Sequence, residues 1–234
     1  MIKKYVYDED KFEIMVDGAK HVLSIHQDAD AEDPRNWDNL TVMLCWHRRY
    51  NLGDKHSYTH IGDALQAICD DNGYDITQLF REIPGESGVA RDRRIIDTIK
   101  DKVCVKYLYL YDHSGITIST SDFGDPWDSG IVGIVYVTKD TILKELCNSN
   151  EDNWYALASS CIENEVDTYD QYLRGDIYSY TFSKINKCEC CGHEVEDVLD
   201  SMSGFFGNDI LSNGMLEYLP NEVTKYFEEE VNNA

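Results

Sequence analysis

Residues 103–111 read Val-Cys-Val-Lys-Tyr-Leu-Tyr-Leu-Tyr, and this stretch decides the fold class. Its β-branched and aromatic side chains are typical of a strand within a sheet. Residues 116–119 and 131–137 have similar content and predict two more strands. Asp112, Ser114 and Gly115 separate the first two stretches, and these are residues that favour a tight turn between strands.

Helical patterns alternate irregularly with strand patterns along the rest of the chain. The strongest covers residues 154–174, where apolar side chains recur at steps of three or four. These side chains are Tyr155, Ala158, Ile162, Val166, Tyr169 and Leu173. Without a regular βαβ rhythm, the chain is predicted to have an α+β fold. This fold would have a mixed, mainly antiparallel sheet with several helices packed on it. We expect one α+β domain over residues 1–234, with a cysteine-containing subregion at residues 183–210.

The composition points to a folded and strongly acidic protein. The chain has 234 residues and a formal net charge of -23, and 42% of its residues are hydrophobic. That apolar supply is enough for a core. A surface this acidic repels phosphates, which argues against direct binding to nucleic acid. The charge is uneven, because residues 1–117 carry a net -6 and residues 118–234 a net -17.

The chain carries no sequence feature of secretion or membrane insertion. The first residues include Lys3 and Lys4 but no apolar stretch follows them, so no signal peptide is predicted. No apolar run reaches the length of a membrane span. Five of the eight cysteines stand singly and mostly in apolar surroundings, where cysteine acts as a small hydrophobe. We therefore expect a reducing cytoplasm and no disulfide framework.

Several multi-residue motifs occur in one order between residues 24 and 207. The motifs are Pro-Arg-Asn-Trp-Asp-Asn at 34–39, His-Arg-Arg-Tyr-Asn-Leu-Gly-Asp at 47–54, Tyr-Asp-His-Ser-Gly-Ile-Thr at 111–117, Pro-Trp-Asp-Ser-Gly at 126–130 and Tyr-Asp-Gln-Tyr-Leu-Arg-Gly at 169–175. Together they resemble a family of uncharacterised bacteriophage-encoded proteins. The resemblance implies an accessory protein that acts in the cytoplasm of a bacterial host, and it implies no catalytic residues.

The clearest chemical motif is Cys-Glu-Cys-Cys-Gly-His at residues 188–193. Cys188 and Cys191 have the spacing of a zinc knuckle, and His193 is a candidate third ligand. The neighbouring Cys190 and Cys191 are not expected to bind one ion together. The resembling family tends to have a further cysteine near residues 200–201, where this chain has Met202. Two interpretations stay open: a zinc site, or a metal-free cysteine turn.

A long turn-rich connection at residues 121–130 contains the second candidate site. Its Trp127 could anchor a partner, with Asp122, Asp125 and Asp128 beside it, or it could pin the loop to the core. Trp37, followed by Asp38, presents the same alternative. The sequence has no phosphate-binding loop, no dinucleotide motif and no Gly-x-Ser-x-Gly.

These observations lead to three hypotheses about function. The first is a non-enzymatic acidic protein that inhibits host defence. Its carboxylates would stand in for phosphates and occlude a basic surface of a host protein that acts on nucleic acid. The alternative is an enzyme of unknown reaction that uses the His113 turn and the loop from Trp127 to Gly130. The third is a zinc-stabilised protein that forms a homo-oligomer.

Overall fold

The computed structural model describes the backbone of residues 10–232 and the side chains of residues 11–229. Residues 1–9, on which the prediction about a signal peptide depends, lie outside the described residues. The chain divides into two compact units. Unit 1 comprises residues 1–33 and 171–234, and unit 2 comprises residues 34–170. The prediction that residues 1–234 form one domain stays a prediction.

Unit 2 is built on a four-stranded antiparallel sheet with the order β3-β6-β4-β5. Its strands are β3 (Val42–Cys45), β4 (Val103–Asp112), β5 (Ile116–Ser119) and β6 (Ser129–Thr138). Its helices are α1 (Ile61–Asp71), α2 (Ile76–Leu79), α3 (Gly88–Ile99), α4 (Lys139–Glu145) and α5 (Trp154–Leu173), the last of which continues three residues into unit 1.

Helices cover both faces of this sheet. On one face, Leu65 of α1 and Ile95 of α3 pack with Val103, Val105 and Ile134 of the strands in one buried cluster. On the other face lies α5, whose Glu163 pairs with Lys106 at 2.5 Å. Lys106 and Val105 are neighbours in β4, and successive side chains of a strand point to opposite faces. The sheet is therefore the middle of three layers.

Unit 1 has a second antiparallel sheet, ordered β1-β2-β7-β8. Its elements are β1 (Asp10–Val16), β2 (Ala19–Gln27), β7 (Ile177–Lys187), β8 (Glu194–Phe206) and the helix α6 (Asn221–Asn232). Phe227 of α6 packs edge-on against Phe12, and it shares a buried cluster with Leu23, Tyr180 and Phe182. The core of unit 1 thus lies between one face of its sheet and α6.

Local sequence explains the ends of several elements. Asp17 and Gly18 both have positive φ, which is what the two-residue turn between β1 and β2 requires. The Thr138 side chain accepts a hydrogen bond from the N–H of Thr141 and caps the start of α4. Gly175, with φ +67, follows α5. The predicted α+β class is confirmed, and every strand pair among residues 10–232 is antiparallel.

Among residues 10–232, no helix is both long enough and apolar enough to cross a membrane.

Candidate functional site

A buried arginine organises the part of unit 2 where the first two motifs meet. The Arg35 side chain is 4% exposed and forms two hydrogen bonds of 2.9 Å to the Asp54 carboxylate. It also contacts Glu165 of α5 at 3.1 Å. Glu165 in turn accepts hydrogen bonds from the N–H groups of Leu40 and Thr41. Arg35 therefore connects three parts of unit 2: its own loop, the segment after β3 that contains Asp54, and the helix α5 that contains Glu165.

Charge pairing keeps this arginine protonated. Burial acts to lower the pKa of Arg35, but the hydrogen bonds and charges of Asp54 and Glu165 outweigh burial and raise it. Arg35 is buried, and its half-buried partners Asp54 and Glu165 are both paired with it, so the network holds the fold of unit 2.

The connection between β5 and β6 presents Trp127 to solvent. Trp127 is 91% exposed, so it does not pin the loop to the core. The Asp125 carboxylate accepts hydrogen bonds from the N–H groups of Trp127 at 2.8 Å and Asp128 at 3.0 Å. These bonds hold the pKa of Asp125 below its ordinary value. The loop thus displays an aromatic side chain on an ordered turn.

Further contacts tie this loop to the sheet. The Asp128 carbonyl accepts a hydrogen bond from the N–H of Asp112 at 2.9 Å. Asp122 accepts one from Gly124 N–H, and the Phe123 ring packs against Tyr111. The predicted partner-binding residues are therefore brought together, and two of the three carboxylates also cap backbone groups. Whether they bind a partner stays a proposal.

The His113 turn lies close enough to this loop for the charge of His113 to contribute to the lowered pKa of Asp125. His113 is exposed in the turn between β4 and β5. The cleft beside the loop, about 340 Å³, is lined by Asp122, Asp125, Ser129 and six other residues, and His113 is not among them. The Ser129 hydroxyl donates to the carbonyl of Asp125 at 2.5 Å, so it is not directed at a base. The enzyme hypothesis that uses this turn and the loop from Trp127 to Gly130 stays a prediction.

The cysteine motif forms the tip of the hairpin that joins β7 to β8. The Cys188 N–H donates to the His193 carbonyl, and the Gly192 N–H donates to the Cys188 carbonyl, both at 2.8 Å. Gly192 adopts φ +72, a left-handed conformation that favours glycine. The turn thereby folds the thiols of Cys188, Cys190 and Cys191 towards one another.

Three thiols of this turn form a group that could hold a metal ion. The sulfurs of Cys188, Cys190 and Cys191 all lie within 4.8 Å of one another, and those of Cys188 and Cys190 are 2.9 Å apart. His193 is not part of the group. The sequence motif predicts Cys188 and Cys191 as ligands and excludes Cys190, because adjacent cysteines are not expected to bind one ion. The short turn nevertheless brings all three thiols together.

The turn also favours a thiolate at Cys188. The side-chain hydrogen bond from Cys190, with the backbone N–H groups of Cys190 and Cys191, lowers the pKa of Cys188 to about 7. Burial instead raises the pKa of Cys104 and, with the Asp54 charge, raises that of Cys45 to about 12. A thiolate is the form of cysteine that binds metal, so the hairpin tip differs chemically from the core cysteines. All eight cysteines are free.

The net negative charge is divided more evenly between the two units than between the two halves of the sequence. Unit 1 holds 21 acidic and 8 basic side chains, a net -13, and unit 2 holds 23 and 13, a net -10. Unit 1 is the smaller unit and therefore has the higher charge density. No Lys or Arg occurs between residues 188 and 224, a stretch that includes the whole of β8.

Comparisons with known protein families, with curated proteins and with solved structures find no match for the chain. None of them links it to the bacteriophage family that its motifs resemble, and that resemblance stays a prediction.

Proposed function

We propose that the protein is an acidic binding protein that engages a partner protein through Trp127. The observation that carries the proposal is the almost complete exposure of a tryptophan on a loop ordered by hydrogen bonds. Tryptophan is among the residues most enriched at the energetic centres of interfaces. An ordered loop also loses little conformational freedom on binding.

The charge around Trp127 indicates the kind of partner. Asp122 and Asp125 line the cleft beside the tryptophan, and Asp128 follows it directly. The partner surface that complements them is basic, with an apolar pocket for the indole ring. The family resemblance supplies a setting in which this binding inhibits a nucleic-acid-acting host defence protein in the bacterial cytoplasm. In that setting the carboxylates would occupy the place of phosphates.

Trp127→Ala tests this proposal in a pull-down from bacterial lysate at low and high salt. We expect the variant to lose the captured basic protein, because removing such an anchor costs at least about 2 kcal/mol, or about thirtyfold in affinity. Trp37→Ala is the matched control and should retain capture. High salt should weaken capture by the native protein, since exposed charges are screened. Equal capture by both variants at every salt concentration would remove Trp127 as the anchor.

We also propose that the three-thiol group at the hairpin tip binds zinc. Zn–S bonds of about 2.3 Å place the thiolates of a tetrahedral site about 3.8 Å apart. Cys188, Cys190 and Cys191 approach that spacing already. Bound zinc would fasten the turn between β7 and β8, and His193 is the nearest imidazole in sequence for a fourth ligand.

Metal titration with Co²⁺ as the spectroscopic probe tests the zinc proposal. One equivalent should produce the thiolate-to-metal absorption of a tetrahedral site, and zinc should displace it. Cys190→Ser should weaken affinity by more than about 100-fold, since even an outer-shell substitution costs 10–100-fold. Cys147→Ser, which changes an exposed cysteine outside the group, is the control. A Cys190→Ser variant that binds as tightly as the Cys147→Ser variant would contradict the site.

A further inference from the structure

The long strand β8 lies at one edge of the unit 1 sheet. It pairs with β7 and with no other strand of the described residues. Residues 194–204 are exposed, and Val198 and Leu199 expose 64% and 56% of their surface. Proteins usually shorten or cover an edge strand, because its open backbone groups pair readily with another chain. An exposed edge strand of this length is therefore available to pair with a strand of another chain.

The first part of β8 has the regular geometry that pairing requires. Residues 194–198 run in unbroken register against residues 183–187, and the register first shifts opposite Phe182 and Ser183. An antiparallel ladder uses alternate backbone groups of a strand, so the remaining groups of residues 194–198 point away from β7. Further along, the Gly204 N–H donates to the Asp28 carboxylate, so that position is already engaged. The open segment is thus residues 194–198.

The side chains of this segment indicate the charge of the incoming strand. Glu194, Glu196 and Val198 lie on one face of the strand, and Val195 and Asp197 lie on the other, because successive side chains of a strand point to opposite faces. Lys187 and Lys20 each approach Glu194 at 3.9 Å, a distance at which exposed pairs are weak. Lys184 lies opposite Asp197 and Asn186 donates to the Asp197 carboxylate, whereas Glu196 lies opposite Ile185. Glu196 is therefore the carboxylate of this segment that has no basic residue opposite it on β7.

This charge decides between two occupants. A second copy of β8 would place carboxylates beside carboxylates, and like charges on adjacent strands are destabilising. A segment in which Lys or Arg alternates with apolar residues would place opposite charges and apolar pairs side by side. The edge therefore disfavours self-pairing and complements a basic strand.

We propose that β8 binds an extended basic segment of a partner protein, which adds to the sheet as a fifth strand over residues 194–198. Main-chain hydrogen bonds would supply affinity, and Glu194 and Glu196 on one face, with Val195 on the other, would supply specificity. This surface belongs to unit 1 and does not depend on Trp127, so it goes beyond the function proposed above.

Two peptides with blocked ends test the proposal by calorimetry and by amide hydrogen exchange. One has nine residues of alternating Lys and Val, and the other is the same peptide N-methylated at every residue. N-methylation keeps the charge and the side chains but removes the backbone N–H donor of every residue. We expect the first peptide to bind, to slow exchange at the outward amides of residues 194–198, and to bind at least about tenfold more tightly than the methylated one.

Charge reversal at one position separates this edge from general attraction to an acidic protein. Glu196→Lys should weaken the first peptide about tenfold, whereas Glu217→Lys, an equal charge change at an exposed site in the same unit, should leave it nearly unchanged. Equal binding of both peptides, equal effects of both substitutions, or unchanged exchange in β8 would overturn the proposal. So would a concentration-dependent dimer that the first peptide fails to dissociate.

Discussion

Replacing Arg35 with Met should lower the free energy of unfolding of unit 2 by about 3–5 kcal/mol, the cost of removing one partner from a buried ion pair. The buried guanidinium neutralises the half-buried carboxylates of Asp54 and Glu165. Methionine keeps the apolar stem of the side chain but leaves both carboxylates without a cation. The loss therefore includes the cost of uncompensated charge.

Chemical denaturation with near-UV circular dichroism measures this loss. Arg49→Met is the matched control, because Arg49 pairs with Asp112 but is exposed, and an exposed pair contributes no more than about 1 kcal/mol. The interpretation of Arg35 as the organiser of unit 2 fails if the two variants unfold at the same denaturant concentration.

Replacing Gly133 with Ala should have an effect of similar size for a steric reason. Gly133 lies in β6 opposite Cys45. A Cβ at this position would overlap the carbonyl oxygen of Leu44 and lie 3.0 Å from the Cα of Cys45. These atoms belong to the backbone of β3 and cannot turn aside as a side chain would. We expect a loss of at least about 3 kcal/mol, the upper end for overpacked interiors, and separation of β3 from β6.

Gly130→Ala, three residues earlier in the same strand, is the control for this second prediction. A Cβ at Gly130 meets no atom within 4 Å. The stability of the Gly130→Ala variant should stay within about 0.5 kcal/mol of the native protein, as for most surface changes. A Gly133→Ala variant that also keeps its native unfolding midpoint would show that β3 can move away without cost.

Elements with one buried side were predictable from the sequence. The stripe along α5 was found because Ala158, Ile162, Val166 and Tyr169 are buried at helical spacing. The two end positions of the predicted stripe differ: Trp154 is buried where Tyr155 is exposed, and Leu173 is only half-buried. β5 was predicted with its observed bounds. When one face of an element is buried, its apolar residues recur at a regular spacing, and this spacing made the elements recognisable in the sequence.

β8 was not predicted, and its position at the edge of the sheet explains why. Its residues 194–204 are exposed, so no alternation of apolar and polar side chains is imposed on them. Acidic residues also make it resemble a loop.

The candidate sites were predictable only where the residues are close in sequence. The cysteine turn and the Trp127 loop are local, and the structure gathers most of their predicted members. The Arg35 network is not local, because Arg35 is 19 residues from Asp54 and 130 residues from Glu165. Arg35 and Asp54 both lie within motifs identified in the sequence, at residues 34–39 and 47–54. No rule of sequence spacing, however, predicts that their side chains form an ion pair.

The division of the chain has a consequence for the order in which the protein assembles. Unit 2 is inserted between β2 and β7, which pair with each other. During synthesis the β1–β2 hairpin leaves the ribosome first, yet its neighbour β7 follows only after all of residues 34–170. Domains generally fold as they emerge, so unit 2 should complete its core while the early hairpin still waits for a partner strand. The inserted unit would then fold first. Its compact fold would lower the entropic cost of bringing β2 and β7 together, and β7 could then complete the sheet of unit 1.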